Sequence, residues 1–238
     1  MILKFFKRLF LSIRELLYPP ICRICGKRLL ERESFLCGDC LADMPLTMQI
    51  DYPYNNFMHK KFEDLGIERA CCYFSYQKSN RYPNIIKEIK FGRDKSLAIY
   101  MGNIFGDMIK SSYEFEDIDF VVPIPLHHRR LRQRGYNQSD LIGKGIATAL
   151  GVPLITNAVK RVKSTKPQSS LLHNYDRKDN MRGAFEVIDS SIFSDKHILI
   201  VDDVSTTGET ISAFVKTLRK RYKHININVA TLSATKGC

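Results

Sequence analysis

Two pairs of cysteines and one pair of aspartates carry most of the chemistry legible in this chain. Cys22-Arg-Ile-Cys25 and Cys37-Gly-Asp-Cys40 are CxxC pairs separated by eleven residues. A two-residue gap lets a tight turn aim both sulfurs at one point, and two such turns complete a tetrahedral thiolate site. Four thiolates close the coordination shell and leave no position for substrate. The metal, zinc in preference to an iron–sulfur cluster, is therefore expected to be structural. A segment this short cannot build a core, so metal binding of about 10–16 kcal/mol would supply its folding free energy.

The aspartates stand in Ile198-Leu199-Ile200-Val201-Asp202-Asp203-Val204-Ser205-Thr206-Thr207-Gly208-Glu209-Thr210. An apolar strand runs into two acids, then hydroxyl residues, a glycine and an amphipathic helix. In parallel α/β sheets ligands bind at the carboxyl ends of strands. The hydroxyls of Ser205, Thr206 and Thr207, with the amides of residues 206–210 at a helix start, suit an anion. Two carboxylates beside a phosphate would repel it. They make sense if they accept hydrogen bonds from neighbouring sugar hydroxyls or help hold Mg²⁺. The expected ligand is a phosphorylated ribose, gripped by a bend beginning at Val204. Neither GxxxxGK[ST] nor a GxGxxG after a strand occurs, which sets aside a nucleotide P-loop and a dinucleotide fold.

A third segment, residues 123–134, reads as a strand end, a proline-stiffened turn and a run of cations. Pro123, Arg129, Arg130, Arg132 and Arg134 are candidates for contacting a pyrophosphate or nucleic-acid phosphates, which arginine meets bidentately. A solvated basic turn is the bland alternative. His127 and His128 lack a carboxylate or cysteine at metal-ligand spacing. Tyr136 is a candidate for stacking on a base, with core packing as the competing role.

These residues need elements to position them. Apolar runs and alternation predict strands over 70–76, 118–124, 153–159, 183–188, 197–201 and 225–232. Helical spacing predicts helices over 83–91, 96–112, 137–150 and 208–222. Strands alternating with helices imply a largely parallel sheet, an α/β fold. Four units follow: an amphipathic helix over 1–19, the cysteine module over 20–48, a connector over 49–67 and the α/β domain over 68–238. The first helix has a basic face, suited to packing on the protein or lying on a membrane surface. No apolar run reaches transmembrane length and no export signal is present, so a reducing cytoplasmic setting is expected. The 238-residue chain has 37 Lys+Arg against 25 Asp+Glu, a net charge of +12 that favours polyanionic partners.

Residues 201–208 resemble the motif by which type I phosphoribosyltransferases bind phosphoribosyl pyrophosphate (PRPP). The resemblance implies that Asp202 and Asp203 hold the ribose 2- and 3-hydroxyls. Residues Val204, Ser205, Thr206, Thr207, Gly208, Glu209 and Thr210 would grip the 5-phosphate, with Mg²⁺ accompanying PRPP. Residues 122–138, of pattern PxPLHxRRLRxRGYNQ, resemble the ComF family of bacterial proteins associated with DNA uptake in natural competence. So do Lys163-Ser164-Thr165-Lys166-Pro167-Gln168, the later Arg177, Asn180 and Arg182-Gly183-Ala184-Phe185, and the Lys-aromatic step at Lys90-Phe91. The implied fold is a type I phosphoribosyltransferase-like sheet flanked by helices, behind a small zinc-ribbon-like module. The turn after Pro123 would bind pyrophosphate, and Lys163, Gln168, Arg177 and Asn180 would belong to a mobile loop. Implied partners are PRPP, single-stranded DNA and DNA-uptake proteins, with peripheral contact at the inner face of the membrane. An active phosphoribosyltransferase of unknown acceptor, without a DNA role, is the alternative. Glu209 departs from the family's usual small residue.

Overall fold

The computed structural model describes residues 19–92, 94–163, 183–189 and 191–235; the expected first helix, Gln168, Arg177 and Asn180 lie outside them. In chain order the helices are α1 (Gly38–Ala42), α2 (Phe57–Lys61), α3 (Pro83–Phe91), α4 (Lys95–Ser111), α5 (His128–Arg134), α6 (Gln138–Leu150) and α7 (Glu209–Arg221). The strands are β1 (Arg69–Ser75), β2 (Phe120–Pro123), β3 (Val159–Arg161), β4 (Phe185–Val187), β5 (Lys196–Ser205) and β6 (Ile225–Ala234).

β1, β6, β5 and β2 lie side by side in that order, every pair parallel. Parallel strands are covered on both faces and so read as unbroken apolar runs, which is the pattern of β1 and of β5 up to Val201. Ile198 and Ile200 face a core shared with Met58 of α2, the adjoining Phe62, and Ile211, Phe214 and Leu218 of α7. Leu199 and Val201 face the other core, built by Ile85 and Ile89 of α3, Leu97 and Phe105 of α4 and Ile142 and Ile146 of α6. Leu36, Cys37 and Cys40 of the cysteine module join that second core. α4 and α6 cross backbone to backbone: a Cβ on Gly102 would strike the Ile142 carbonyl, and one on Gly145 the Ile99 carbonyl.

The chain leaves β2 toward one face of the sheet, through α6, and leaves β5 toward the other, through α7. Adjacent parallel strands whose connections part in this way open a crevice between their carboxyl ends, the usual ligand position in such sheets. Pro123 and Asp202 border that crevice.

Three expectations are corrected. Residues 49–67 are not a bare connector. Asn56 caps α2 by accepting from the Met58 and His59 amides at 2.8 and 2.9 Å, and Met58 and Phe62 are buried. The preceding stretch covers the open edge of β1 through Ser75 N–H to Pro45 O at 2.9 Å and Thr47 N–H to Tyr73 O at 3.2 Å. The strand expected over 153–159 shrinks to one bridge, Val121 with Leu154, and Val159 instead opens a separate antiparallel pair, β3 with β4. Finally, β5 continues to Ser205, because Val204 and Ser205 pair with Ser233 and Ala234 of β6.

Candidate functional site

Asp202 and Asp203 sit near the end of β5, where β2 has already stopped pairing. Asp202 Oδ1 accepts from the Ser139 hydroxyl and from the Asp203 amide, each at 2.9 Å. Asp203 Oδ2 takes an ion pair from Lys90 Nζ at 3.0 Å. Burial, then the charge of Asp203, pushes the Asp202 carboxyl up to about 7. Two acids are thus held together against their repulsion by groups from α3 and α6. Arg161 of β3 feels the charge of Asp202, and Arg130 of α5 feels that of Asp203. Burial is the leading cause that lowers the pKa of both arginines, followed by like charge: Arg130 acting on Arg161, and Arg134 on Arg130.

Because β5 runs on, the bend begins at Thr206, not at Val204. Ser205 is buried beside β6, so its hydroxyl is withdrawn from the surface that an anion would meet. Thr206, Thr207 and Gly208 form the bend, and α7 starts at Glu209. Gly208 has φ +81°, and a Cβ there would lie 2.7 Å from the Phe62 ring; both facts require glycine. Lys61, from the stretch expected to be only a connector, closes the bend from below. Its Nζ donates to Thr206 O at 2.6 Å and to Thr235 O at 3.2 Å. With the Thr206 carbonyl bound to Lys61, the donors nearest the bend are the first amides of α7, which a helix leaves without intrahelical partners.

The basic segment is a short helix, not a turn. His127 is buried and caps it, Nδ1 accepting from the Arg129 amide at 3.3 Å. Burial, followed by the charges of His128, Arg129 and Arg161, lowers its pKa. Arg129 and Arg132 are exposed, whereas Arg130 and Arg134, four residues apart, are partly buried on the inner side. Arg134 Nη1 donates to Gln138 Oε1 at 2.8 Å. Pro123 ends β2 beside Val201. Tyr136 is core: it is buried, and its hydroxyl donates to Ile89 O at 2.7 Å. Lys163 is described and lies beside Gly183, its Nζ 3.8 Å from where a Cβ on that glycine would stand. Lys61, Ser139 and Arg161 were absent from the sequence expectations, and Lys90 entered only through the family pattern.

The thiols of Cys22, Cys25, Cys37 and Cys40 all lie within 4.8 Å of one another. Cys25 and Cys37 Sγ are 3.7 Å apart, close to the ~3.8 Å edge of a tetrahedron with metal–sulfur bonds of about 2.3 Å. The donor set therefore fits a structural tetrahedral ion. Although burial opposes it, the amides of Cys25, Cys37 and Ile24 bring the Cys22 thiol down to about 6, which favours the thiolate that a metal needs. The module is fastened to α3 and α4 by Tyr82 Oη to Cys40 O at 3.1 Å and by the Arg23–Asp94 ion pair at 3.0 Å.

Comparison with known proteins identifies a domain family and several relatives. The phosphoribosyl transferase domain family matches residues 139–237. Competence protein F of Haemophilus influenzae is 31% identical over 202 residues, covering 84% of this chain and 79% of that protein. The DNA utilization protein YhgH of Salmonella typhimurium is 31% identical over 137 residues, 56% of this chain and 59% of that protein. Competence protein ComFC of Bacillus subtilis is 26% identical over 225 residues, 89% and 77% of the two chains. Among the described residues no helix is long and apolar enough to cross a membrane.

Proposed function

This chain belongs to the competence protein F family, and we propose that it binds PRPP with Mg²⁺ at Asp202, Asp203 and the bend after them, as a zinc-bearing component of DNA uptake. One observation carries the reading: two largely buried carboxylates, kept adjacent by Lys90 and Ser139, stand beside a glycine-turned bend whose Thr206 carbonyl is tied to Lys61. The acids accept from the ribose diol. The amides of residues 207–210 hold the 5-phosphate. Arg130 and Arg134 line the approach on the side where pyrophosphate would extend. Asp202 and Asp203 would also be the ligands nearest Mg²⁺, which supplies charge neutralisation on the phosphates. Cys22, Cys25, Cys37 and Cys40 hold the zinc.

Calorimetric titration of Mg²⁺-PRPP into wild type and into Asp202→Asn/Asp203→Asn tests the site. Hydrogen bonds to charged groups contribute about 1.5–3 kcal/mol each, so the double variant should bind at least ~100-fold more weakly. Equal heats would remove the assignment. Phosphoribosyl transfer is a second reading, favoured by Arg130 and Arg161 standing as fixed cations around the acids. Release of pyrophosphate with a panel of acceptors measures it.

For DNA, the exposed Arg129 and Arg132 and the net charge of +12 support contact with a single strand. The affinity for an oligonucleotide is expected to fall with salt, the logarithmic slope being about −0.7 per phosphate neutralised. A flat salt response would argue against a backbone-tracking surface.

A further inference from the structure

Phe91 is the last residue of α3 and is 69% exposed. A lone exposed phenylalanine is ordinary; the company of this one is not. The residue before it, Lys90, holds Asp203 at 3.0 Å. The Arg134 guanidinium carbon lies over the Phe91 ring, 5.2 Å from its centroid, and is steadied there by Gln138. One helical turn back from Arg134, Arg130 senses the charge of Asp203. An open aromatic ring therefore stands among cations at the rim of the acid pair. Gly92 follows as the C-cap of α3, its amide donating to Glu88 O at 2.7 Å.

Cations on one side and a bare ring on the other match the two halves of a nucleotide. The phosphates are polyanionic, and the base is a flat π surface that stacks on aromatic side chains and on guanidinium planes. A peptide or lipid partner would not need the sugar-binding acids next to the ring. We propose that Phe91, with Arg134 above it, is the stacking platform for a nucleobase at the mouth of the Asp202–Asp203 site. The inference rests on the phosphoribose reading for what occupies the acids, and it names the chemical group received beside them. That base comes either from a small acceptor or from a strand of DNA.

The chain contains no tryptophan, so Phe91→Trp installs a single indole whose fluorescence reports stacking directly. Three ligands are titrated into it in the presence of Mg²⁺-PRPP: oligothymidylate, an abasic oligomer of the same length, and nucleoside monophosphates. Quenching by a base-bearing ligand, without quenching by the abasic oligomer, is the expected result. Quenching by the oligomer alone assigns DNA as the source of the base, and quenching by a mononucleotide assigns a small acceptor. In parallel, Phe91→Ala should weaken the base-bearing ligand about 10-fold, ~1.4 kcal/mol, and leave the affinity for the abasic oligomer as it was. No quenching, equal quenching by the abasic oligomer, or an unchanged affinity in Phe91→Ala would overturn the platform. A wild-type protein that fails to bind PRPP would instead refute the occupant of the acids, an outcome read in a separate titration.

Discussion

Stripping the metal from the cysteine site, or replacing Cys40 with serine, is expected to lower the melting temperature by about 10 °C or more and to weaken PRPP binding. The module is part of the main core. Leu29, Leu36, Cys37, Cys40 and Met44 are at most 6% exposed and share one cluster with Ile85, Ile86 and Ile89 of α3 and Leu97 of α4. Without an ion four thiols confront one another, and burial pushes those of Cys37 and Cys40 up, so they cannot all remain ionised. Metal-free segments of this size lose their fold. Losing two or three large buried side chains from their packing costs about 5 kcal/mol, equivalent to roughly 10–20 °C in a domain of this length. The effect on binding is transmitted by α3, which rests on the module through the Tyr82–Cys40 hydrogen bond and presents Lys90 to Asp203 at its other end. Melting of metal-loaded and chelated protein, with elemental analysis showing one zinc per chain, checks this. A chelated protein that melts at the loaded temperature would show the module to be decoration, and visible absorption from the loaded protein would identify iron and sulfur in place of zinc.

What was legible in the sequence followed from how local each signal is. The two CxxC pairs converge as expected because each knuckle is set by a two-residue gap, and only one long-range closure is needed. The β5 strand and its acids were visible because a parallel strand covered on both faces gives an unbroken apolar run. Its end was misplaced by four residues, Val201 against Ser205, and the bend by two: nothing local tells Val204 and Ser205 that Ser233 and Ala234 will pair with them. The basic segment was taken for a turn because His127-His128-Arg129-Arg130 has no apolar period. The helix depends on a buried histidine cap and the left-handed Gly135, φ +78°. Lys61 was invisible for a similar reason. Its segment has short elements and no repeat, and its role exists only where Gly208 and Thr235 approach it in space. Ser139 and Arg161 reach Asp202 across sequence separations of 63 and 41 residues, which no pattern along the chain records.

Asp202→Asn is expected to make the protein more stable at pH 8 while disabling the proposed phosphoribose site. The Asp202 carboxyl titrates at about 7 in the folded protein, against about 3.9 in an unfolded chain. Between those values the folded state keeps a proton that the unfolded state has released, so stability falls as pH rises from about 4 to about 7. Above 7 both states are ionised and the folded one carries the full penalty of a buried carboxylate beside Asp203. The groups facing it divide. Asp203 on β5 repels, while Lys90 of α3 and Arg161 of β3 attract and Ser139 of α6 donates a hydrogen bond. An asparagine keeps the shape, still accepts from Ser139 and the Asp203 amide, and removes the charge. The gain at pH 8 should be about 4 kcal/mol, roughly three pKa units at ~1.4 kcal/mol each, or ~8–16 °C in melting temperature, and it should vanish near pH 4. Asp140, lifted to about 6 by burial, titrates in the same window but in both proteins, so it cancels in the difference. Melting curves of the two proteins from pH 4 to 8 decide the matter; an asparagine variant that is less stable at pH 8, or whose advantage ignores pH, would sink the account. The tension it describes is the reason to keep such an acid. On the proposed reading, a site that receives a diol and a cation is strained until they arrive, and replacing its charge relieves the fold at the expense of what the charge would hold.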